Sequence, residues 1–236
     1  MPRALVFQHM FDDDLCYFDE LLRADGFSID TVHLYDGQAV PALDGYDLMM
    51  VLGGAMDVWQ TDEHPWMTGE QEAIREWVGE RAKPFIGICL GHQLLATSLG
   101  GSVGQAGGTE VGLNHMRIDP ETDHEFFAGL DGEYPVMQWH HAEIKDVPEG
   151  ARVLASSAVT EVQALAIGEH ALGVQFHFEW TLDRVRSWPE GWLEALNREL
   201  GDGAHHRVIA DATPHMTGIN QMARTIWGNF KRVNRL

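Results

Sequence analysis

The chain contains the segment Lys83-Pro84-Phe85-Ile86-Gly87-Ile88-Cys89-Leu90-Gly91-His92-Gln93-Leu94-Leu95, in which an apolar run passes directly into a helical pattern. The run Phe85–Ile88 predicts a buried strand, and the residues after Cys89 predict a helix. Glycines two positions before and two positions after Cys89 are typical of a nucleophile elbow, here with sulfur in place of oxygen. Such a turn places Cys89 at a helix N-terminus, where the helix dipole favours the reactive thiolate. A cysteine in a glycine-rich turn can also be a small buried apolar residue, so a nucleophile needs a base elsewhere in the chain.

Short apolar runs on both sides of the elbow predict further strands, separated by Gly, Asp and Pro. Helical patterns lie between them, and the alternation predicts an α/β fold with a mostly parallel central sheet flanked by helices. After Ser102 the runs are shorter and alternate, which predicts a smaller antiparallel β section. The predicted strands are residues 4–7, 29–34, 48–52, 85–88, 111–118, 136–140, 153–156, 162–167 and 171–178, with helical patterns at 15–22, 68–81, after 183 and at 220–233.

The length and composition indicate one globular unit. The chain has 236 residues, of which 44% are hydrophobic and 22% are charged, and it contains no linker or internal repeat. We therefore expect residues 1–236 to form a single domain. Helices at about residues 181–236, interrupted at Ser187-Trp188-Pro189, are expected to pack on the sheet.

Charge and cysteine content restrict the classes of partner. Sixteen basic against 36 acidic residues give a net charge of −20, which would repel nucleic acid and anionic membranes. Two cysteines cannot build a disulfide framework, and with no apolar signal segment we expect a cytoplasmic protein. The thirteen histidines show no metal-ligand spacing, so we expect no metal and no cofactor.

A base and a group to orient it are suggested by the segment Gly173-Val174-Gln175-Phe176-His177-Phe178-Glu179. In a strand, successive side chains point to opposite faces, so His177 and Glu179 share one face. A carboxylate beside an imidazole can fix its tautomer and stabilise its protonated form. The same alternation also occurs on a solvated edge strand, so the interpretation depends on the elbow being present as well.

A glycine turn follows the predicted strand at residues 48–52. Acyl transfer needs two N–H donors at the developing oxyanion, and an elbow supplies one of them from Leu90. A turn at Gly53-Gly54 beside the elbow could present the second, although two glycines after a strand are also an ordinary turn.

These three segments, in this order and at these separations, resemble the signatures of class I (triad) glutamine amidotransferases across about residues 4–180. The resemblance implies a flavodoxin-like three-layer sandwich with Cys89 as nucleophile, His177 as base and Glu179 as its orienting group. It further implies an oxyanion hole formed by the amides of Gly54 and Leu90. It makes Gly53, Gln93 and His140 the substrate-binding candidates, His140 following a predicted strand that this family uses to line its glutamine pocket.

Two departures from the family pattern concern its details. Ala55 follows the glycine pair where the family often has proline, and Phe178 stands where it often has proline between histidine and glutamate. Met56 and the pair Pro65-Trp66 resemble a stand-alone branch, similar to the amidotransferase domain of GMP synthase and to γ-glutamyl peptidases.

The resemblance implies hydrolysis of the γ-amide of glutamine through a cysteine thioester, with release of glutamate and ammonia. The phosphate-binding motif of many ATP-using enzymes is absent, and few residues follow Glu179, so we expect any synthetase to be a separate protein chain. One alternative is a self-sufficient peptidase acting on small γ-glutamyl amides or peptides. A second is a non-catalytic binding or regulatory protein on the same fold.

Overall fold

Nine strands form one sheet in the computed structural model, which describes residues 1–119 and 121–236. The strands are β1 (Arg3–Gln8), β2 (Ser28–His33), β3 (Leu48–Val51), β4 (Phe85–Ile88), β5 (Ser102–Ile118), β6 (Gly132–Asp146), β7 (Ala151–Ser156), β8 (Ala164–Ile167) and β9 (Ala171–Val174). The helices are α1 (Tyr17–Ala24), α2 (Trp66–Ile74), α3 (Leu90–Ser98), α4 (Leu182–Arg186), α5 (Glu190–Leu200), α6 (Ala204–Ala212) and α7 (Met216–Asn234). Helix α2 continues into a π-helical segment, Arg75–Glu80, and short 3-10 turns occupy Leu34–Asp36 and Glu125–Phe127.

The sheet order is β2-β1-β3-β4-β9-β8-β7-β5-β6. The first five strands in this order pair in parallel, and every pairing from β9 to β6 is antiparallel. The predicted α/β fold with a parallel and an antiparallel section is therefore confirmed, and the two sections are halves of one continuous sheet. Strands β8 and β9 form a hairpin in which Ile167 pairs with Ala171.

Alternate residues of the parallel strands point into two apolar layers. Ala4 and Val6 of β1 face the layer that contains α1 and α7, whereas Leu5 and Phe7 face the layer that contains α2 and α3. Every residue of β3 and β4 is buried, as expected for parallel strands covered by helices on both faces. The elbow follows β4, which lies between β3 and β9 inside the parallel section.

Strand β9 ends earlier than the sequence pattern predicts. It stops at Val174 because the main chain changes partner there: the N–H of His177 donates to the carbonyl of Met137 in β6 at 2.8 Å. His177 makes one isolated bridge with Met137 instead of continuing the ladder with β8. The prediction of a strand through residue 178 is thus wrong, although Phe176 and Phe178 are fully buried as expected.

Strands β5 and β6 are much longer than predicted. Their outer halves pair from Ser102 and Asp146 inward, with a register irregularity between Gln105 and Glu110. The residues around this irregularity are glycine-rich and partly exposed, so they lack the alternation of apolar residues on which the prediction relied.

The C-terminal helices follow the segment that leaves β9. The predicted interruption at Ser187-Trp188-Pro189 is confirmed between α4 and α5, and α7 begins at Met216, earlier than the predicted Asn220. In α7, the Asn220 amide donates to the Trp180 carbonyl at 2.8 Å. The last helix is therefore bonded directly to the chain beside His177 and Glu179. Within the described ranges, no helix combines the length and the apolar character needed to cross a membrane.

Candidate active site

The elbow at Cys89 has the strained backbone that its sequence predicts. Cys89 has φ 51° and ψ −104°, in the region of positive φ that residues other than glycine rarely adopt. Its N–H donates to the Val174 carbonyl at 2.8 Å, which ties the elbow to the end of β9. A Cβ on Gly91 would overlap the Val51 carbonyl oxygen, so the helix passes β3 at a distance that only glycine permits.

His177 and Glu179 form a buried hydrogen-bonded pair after β9. His177 Nδ1 lies 2.6 Å from Glu179 Oε1, and the two residues are 3% and 1% exposed. This contact leaves Nε2 of the ring available to Cys89, whose charge acts on the imidazole. Burial lowers the pKa of His177, but the charges of Glu179 and Cys89 and the hydrogen bonds to both outweigh it, so the net pKa lies well above the ordinary value. The surroundings of His177 therefore favour its protonated form.

The indole of Trp180 covers one face of this imidazole. The ring centroids of His177 and Trp180 are 3.8 Å apart and the rings are within 12° of parallel. An indole face attracts a cation, so the stack supports the protonated ring and fixes its plane.

The glycine turn after β3 lies against the same groups. A Cβ on Gly53 would stand 2.5 Å from Asp13 Oδ2 and 3.1 Å from His177 Cε1, and one on Gly54 would stand 2.9 Å from Leu90 Cδ2. Gly53 thus packs against Asp13 and His177 and does not line the cavity. Gly54 and Leu90 line the cavity together with Cys89. The structure brings together the three backbone positions that the sequence proposes for an oxyanion hole and the adjoining turn.

A cavity of about 390 Å³ opens at Cys89. One wall is apolar and aromatic, with Met56 from the glycine turn, Trp139 from β6 and Trp192 from α5. The cavity is of the size that small-molecule sites occupy, and a few polar groups converge near the sulfur atom.

The two predicted substrate-binding side chains line this cavity but are already bonded to the protein. The Gln93 amide donates to the Ala142 carbonyl at 3.2 Å and to Gln175 Oε1 at 3.0 Å. His140, at the end of the predicted strand 136–140, lies inside the longer β6, and its Nδ1 is 3.0 Å from the Ala142 carbonyl oxygen. Its Nε2 is 3.2 Å from Glu110 Oε2 but makes no hydrogen bond.

Asp13 is a site residue that the sequence reasoning missed. It lines the cavity, is 3% exposed, and approaches His177 and Glu179. Burial, with the nearby Glu179 charge, raises the pKa of Asp13 to about 6 against the lowering effect of His177 and His9. In the sequence it lies in the run Asp12-Asp13-Asp14, which is typical of a solvated loop and offers no signal that the middle carboxylate is buried.

Asp13, His177 and Glu179 also have donor atoms close enough together to hold a metal ion. They are the one such group among the residues that the structure describes. Atoms of Asp13, His177 and Glu179 all lie within 4.8 Å of one another. His177 Nδ1 already faces Glu179 at 2.6 Å, so an ion there would have to replace that hydrogen bond. The arrangement fits proton transfer with less rearrangement than metal binding.

An elbow cysteine, an imidazole hydrogen-bonded to a carboxylate and a glycine turn meet at one cavity of this α/β fold, a combination typical of enzymes that form an acyl–sulfur intermediate. The family model for class I glutamine amidotransferases matches residues 19–187, and the chain belongs to that family.

Relatives of similar length extend this result. The glutamine amidotransferase-like protein YfeJ of Salmonella typhimurium is 30% identical over 208 residues, covering 86% of this chain and 84% of its own. γ-Glutamyl peptidase 4 of Arabidopsis thaliana is 26% identical over 216 residues, covering 89% and 82%. A glutamine amidotransferase structure from Thermotoga maritima superposes with a TM-score of 0.88 at 26% identity, covering 100% of this chain and 99% of that one.

A second kind of relative matches a shorter part. One component of the glutamine-hydrolysing GMP synthase of Methanocaldococcus jannaschii is 41% identical over 97 residues, which cover 41% of this chain and 50% of that component.

Proposed function

We propose that this protein hydrolyses γ-glutamyl amide bonds through a thioester on Cys89, with glutamine as the simplest substrate and glutamate and ammonia as products. The observation that carries the proposal is the buried pair of His177 Nδ1 and Glu179 Oε1 at 2.6 Å, with the other side of the ring facing Cys89. This order of groups is the one that thiol activation requires.

In the first half of the reaction, the Cys89 thiolate attacks the γ-carbonyl carbon and a carbon–sulfur bond forms. The carbonyl electron pair moves onto oxygen, where the N–H groups of Gly54 and Leu90 stabilise the negative charge. The pair then returns, the carbon–nitrogen bond breaks, and the His177 imidazolium gives its Nε2 proton to the leaving nitrogen.

In the second half, His177 is neutral and takes a proton from water as the water oxygen attacks the thioester carbon. Collapse of this second tetrahedral intermediate breaks the carbon–sulfur bond, releases glutamate and restores the thiolate and imidazolium. Glu179 Oε1 accepts the Nδ1 proton throughout, so Nε2 is the nitrogen that exchanges the proton.

Self-sufficient hydrolysis of larger γ-glutamyl amides is a second candidate, favoured by the shape of the cavity. The cavity extends from Cys89 past Trp139 to Gly191 and Trp192 on α5, a reach that ammonia as leaving group does not need. An amine with an apolar body would contact these aromatic rings. The similarity to γ-glutamyl peptidase 4 over most of both chains also supports hydrolysis of larger γ-glutamyl amides.

The other branch of the proposal is a glutaminase that delivers ammonia to a separate synthetase subunit. The partial similarity to the GMP synthase component supports it. A non-catalytic role would be the conclusion only if the purified protein turned over no γ-glutamyl compound, alone or with a synthetase.

The test is to incubate the purified protein with glutamine and a panel of γ-glutamyl amides and dipeptides, measuring released glutamate. Cys89→Ala is expected to lower turnover by about 10³-fold or more, because it removes the nucleophile. Cys16→Ala is the matched control, since the Cys16 sulfur bonds to Arg184 and Asp14 away from the cavity. Full turnover by Cys89→Ala would refute the assignment, and the preferred substrate would separate the two branches.

A further inference from the structure

A second buried histidine, outside the predicted triad, contacts the glycine turn. His9 follows β1, is 0% exposed, and its Nδ1 lies 2.8 Å from the carbonyl oxygen of Gly53. On its other side, Nε2 lies 2.9 Å from Oε1 of Glu70, a fully buried residue of α2. The ring also stacks on Trp66, with centroids 5.3 Å apart.

The protonation of His9 follows from its partners. A carbonyl oxygen only accepts hydrogen bonds, so Nδ1 must carry a proton. Burial lowers the pKa of His9, but the charge and hydrogen bond of Glu70 and the hydrogen bond to the Gly53 carbonyl outweigh it, so the pKa lies above its ordinary value. The partners on both sides of the ring therefore favour its protonated form directly behind the turn.

The bonded carbonyl belongs to the same peptide as the Gly54 N–H. In a planar trans peptide the C=O and N–H point in opposite directions, so holding Gly53 oxygen towards His9 fixes the direction of the Gly54 N–H. Donation to the oxygen also draws electron density from the amide and makes its N–H a stronger donor. His9 additionally packs on the turn, since a Cβ on Gly54 would stand 3.1 Å from His9 Cβ.

We propose that His9 and Glu70 form a positioning pair that orients and polarises the Gly53-Gly54 peptide as an oxyanion donor. This inference rests on the proposed function, because it assigns the pair a part in the same acyl transfer. Neither side chain lines the cavity, so the pair acts through the peptide and not on the substrate.

The deciding variant is Glu70→Gln. It keeps the shape of the residue and lets neutral His9 still donate from Nδ1, so the turn stays in place while the charge is lost. We expect kcat for γ-glutamyl hydrolysis to fall by about tenfold with KM within threefold, a smaller loss than the 10²–10³-fold typical of removing an oxyanion donor. The double variant His9→Phe/Glu70→Leu removes the hydrogen bond as well without leaving an unpaired charge, and is expected to lose about 10²-fold or more.

A second readout beside kcat, and a control variant, separate positioning from general damage. Alkylation of Cys89 by iodoacetamide forms no oxyanion, so its rate should stay within twofold of wild type in Glu70→Gln. His170→Asn is the control for a histidine that bonds a distant backbone carbonyl, at 3.1 Å from Val78 oxygen, and should leave kcat within twofold. An unchanged kcat in both site variants, or an alkylation rate that falls with kcat, would overturn the proposal.

A third readout is independent of turnover. The amide proton resonance of Gly54 should move upfield in Glu70→Gln, because a weaker donor at the carbonyl leaves the N–H less polarised. If the wild-type protein showed no turnover, the proposed function would be contradicted. The shift of the Gly54 resonance would still test the positioning pair. An unmoved Gly54 resonance would overturn the pair even in an active enzyme.

Discussion

The buried carboxyl of Asp13 should make the stability of this protein depend on pH in a predictable way. The change to make is Asp13→Asn, which keeps the size of the side chain and removes its titration. Because the folded-state pKa of about 6 exceeds the ordinary value of 3.8, the folded protein holds this proton more tightly than the unfolded chain. The contribution of Asp13 to stability is therefore fully present below about pH 4 and is lost as the pH rises through about 6.

The magnitude follows from the same two values. The interval from 3.8 to about 6, at about 1.4 kcal/mol for each pH unit, corresponds to about 3 kcal/mol lost in the wild type by pH 7.5. Asn does not ionise, so its free energy of unfolding lacks this loss. The difference in free energy of unfolding between Asp13→Asn and wild type should therefore rise by up to about 3 kcal/mol from pH 4 to pH 7.5. This corresponds to roughly 6 to 12 °C in melting temperature.

The assay is urea unfolding of both proteins at intervals between pH 4 and pH 8. Asp14→Asn is the matched control from the next position, because hydrogen bonds from Arg184 and Cys16 outweigh burial and lower the pKa of Asp14. The stabilising contribution of Asp14 is present above the ordinary pKa of 3.8 and is lost only at lower pH, so Asp14→Asn should differ from wild type by a nearly constant amount between pH 4 and pH 8. A difference between wild type and Asp13→Asn that stays constant from pH 4 to pH 8 would refute the reasoning.

Two further substitutions test the groups around His177. Glu179→Gln should lower kcat by about 10³-fold with the fold intact, because Nδ1 of His177 loses its charged partner at 2.6 Å; an unchanged kcat would move the orienting role elsewhere. Gly53→Ala should destabilise the protein by about 1–3 kcal/mol in thermal unfolding and lower kcat, since its Cβ would stand 2.5 Å from Asp13 Oδ2. The control Gly218→Ala, in open space on helix α7, should instead stabilise by about 0.5–1 kcal/mol; equal effects at the two glycines would contradict the contact argument.

The parts of the site that the sequence predicts well are those encoded locally. The glycines around Cys89 are required within one turn of chain, since Gly87 and Gly91 each allow a close backbone approach. His177 and Glu179 are likewise two residues apart, so their hydrogen bond joins side chains of one short segment. Short-range requirements of this kind leave a pattern in the sequence that can be read without the fold.

The missed residues depend on contacts between distant segments. His9 is 61 positions from Glu70 and 44 from Gly53, and the parallel pairing of β1 with β3 brings His9 beside the glycine turn. Asp13 lies in an acidic run that resembles solvated loop, and nothing in the run marks its middle residue as buried. Without the order of the strands, none of these three side chains can be assigned to the site.

The topology explains why these distant segments converge. In open α/β sheets, ligands bind beyond the carboxyl ends of the parallel strands. Here four of the five parallel strands, β1, β3, β4 and β9, are adjacent and each contributes its following segment to the site. They deliver His9 and Asp13, the glycine turn, Cys89, and His177 in that order. The early end of β9 completes the arrangement: by leaving the ladder after Val174, the chain carries His177 to Met137 on β6 and so closes the site between the parallel and antiparallel sections.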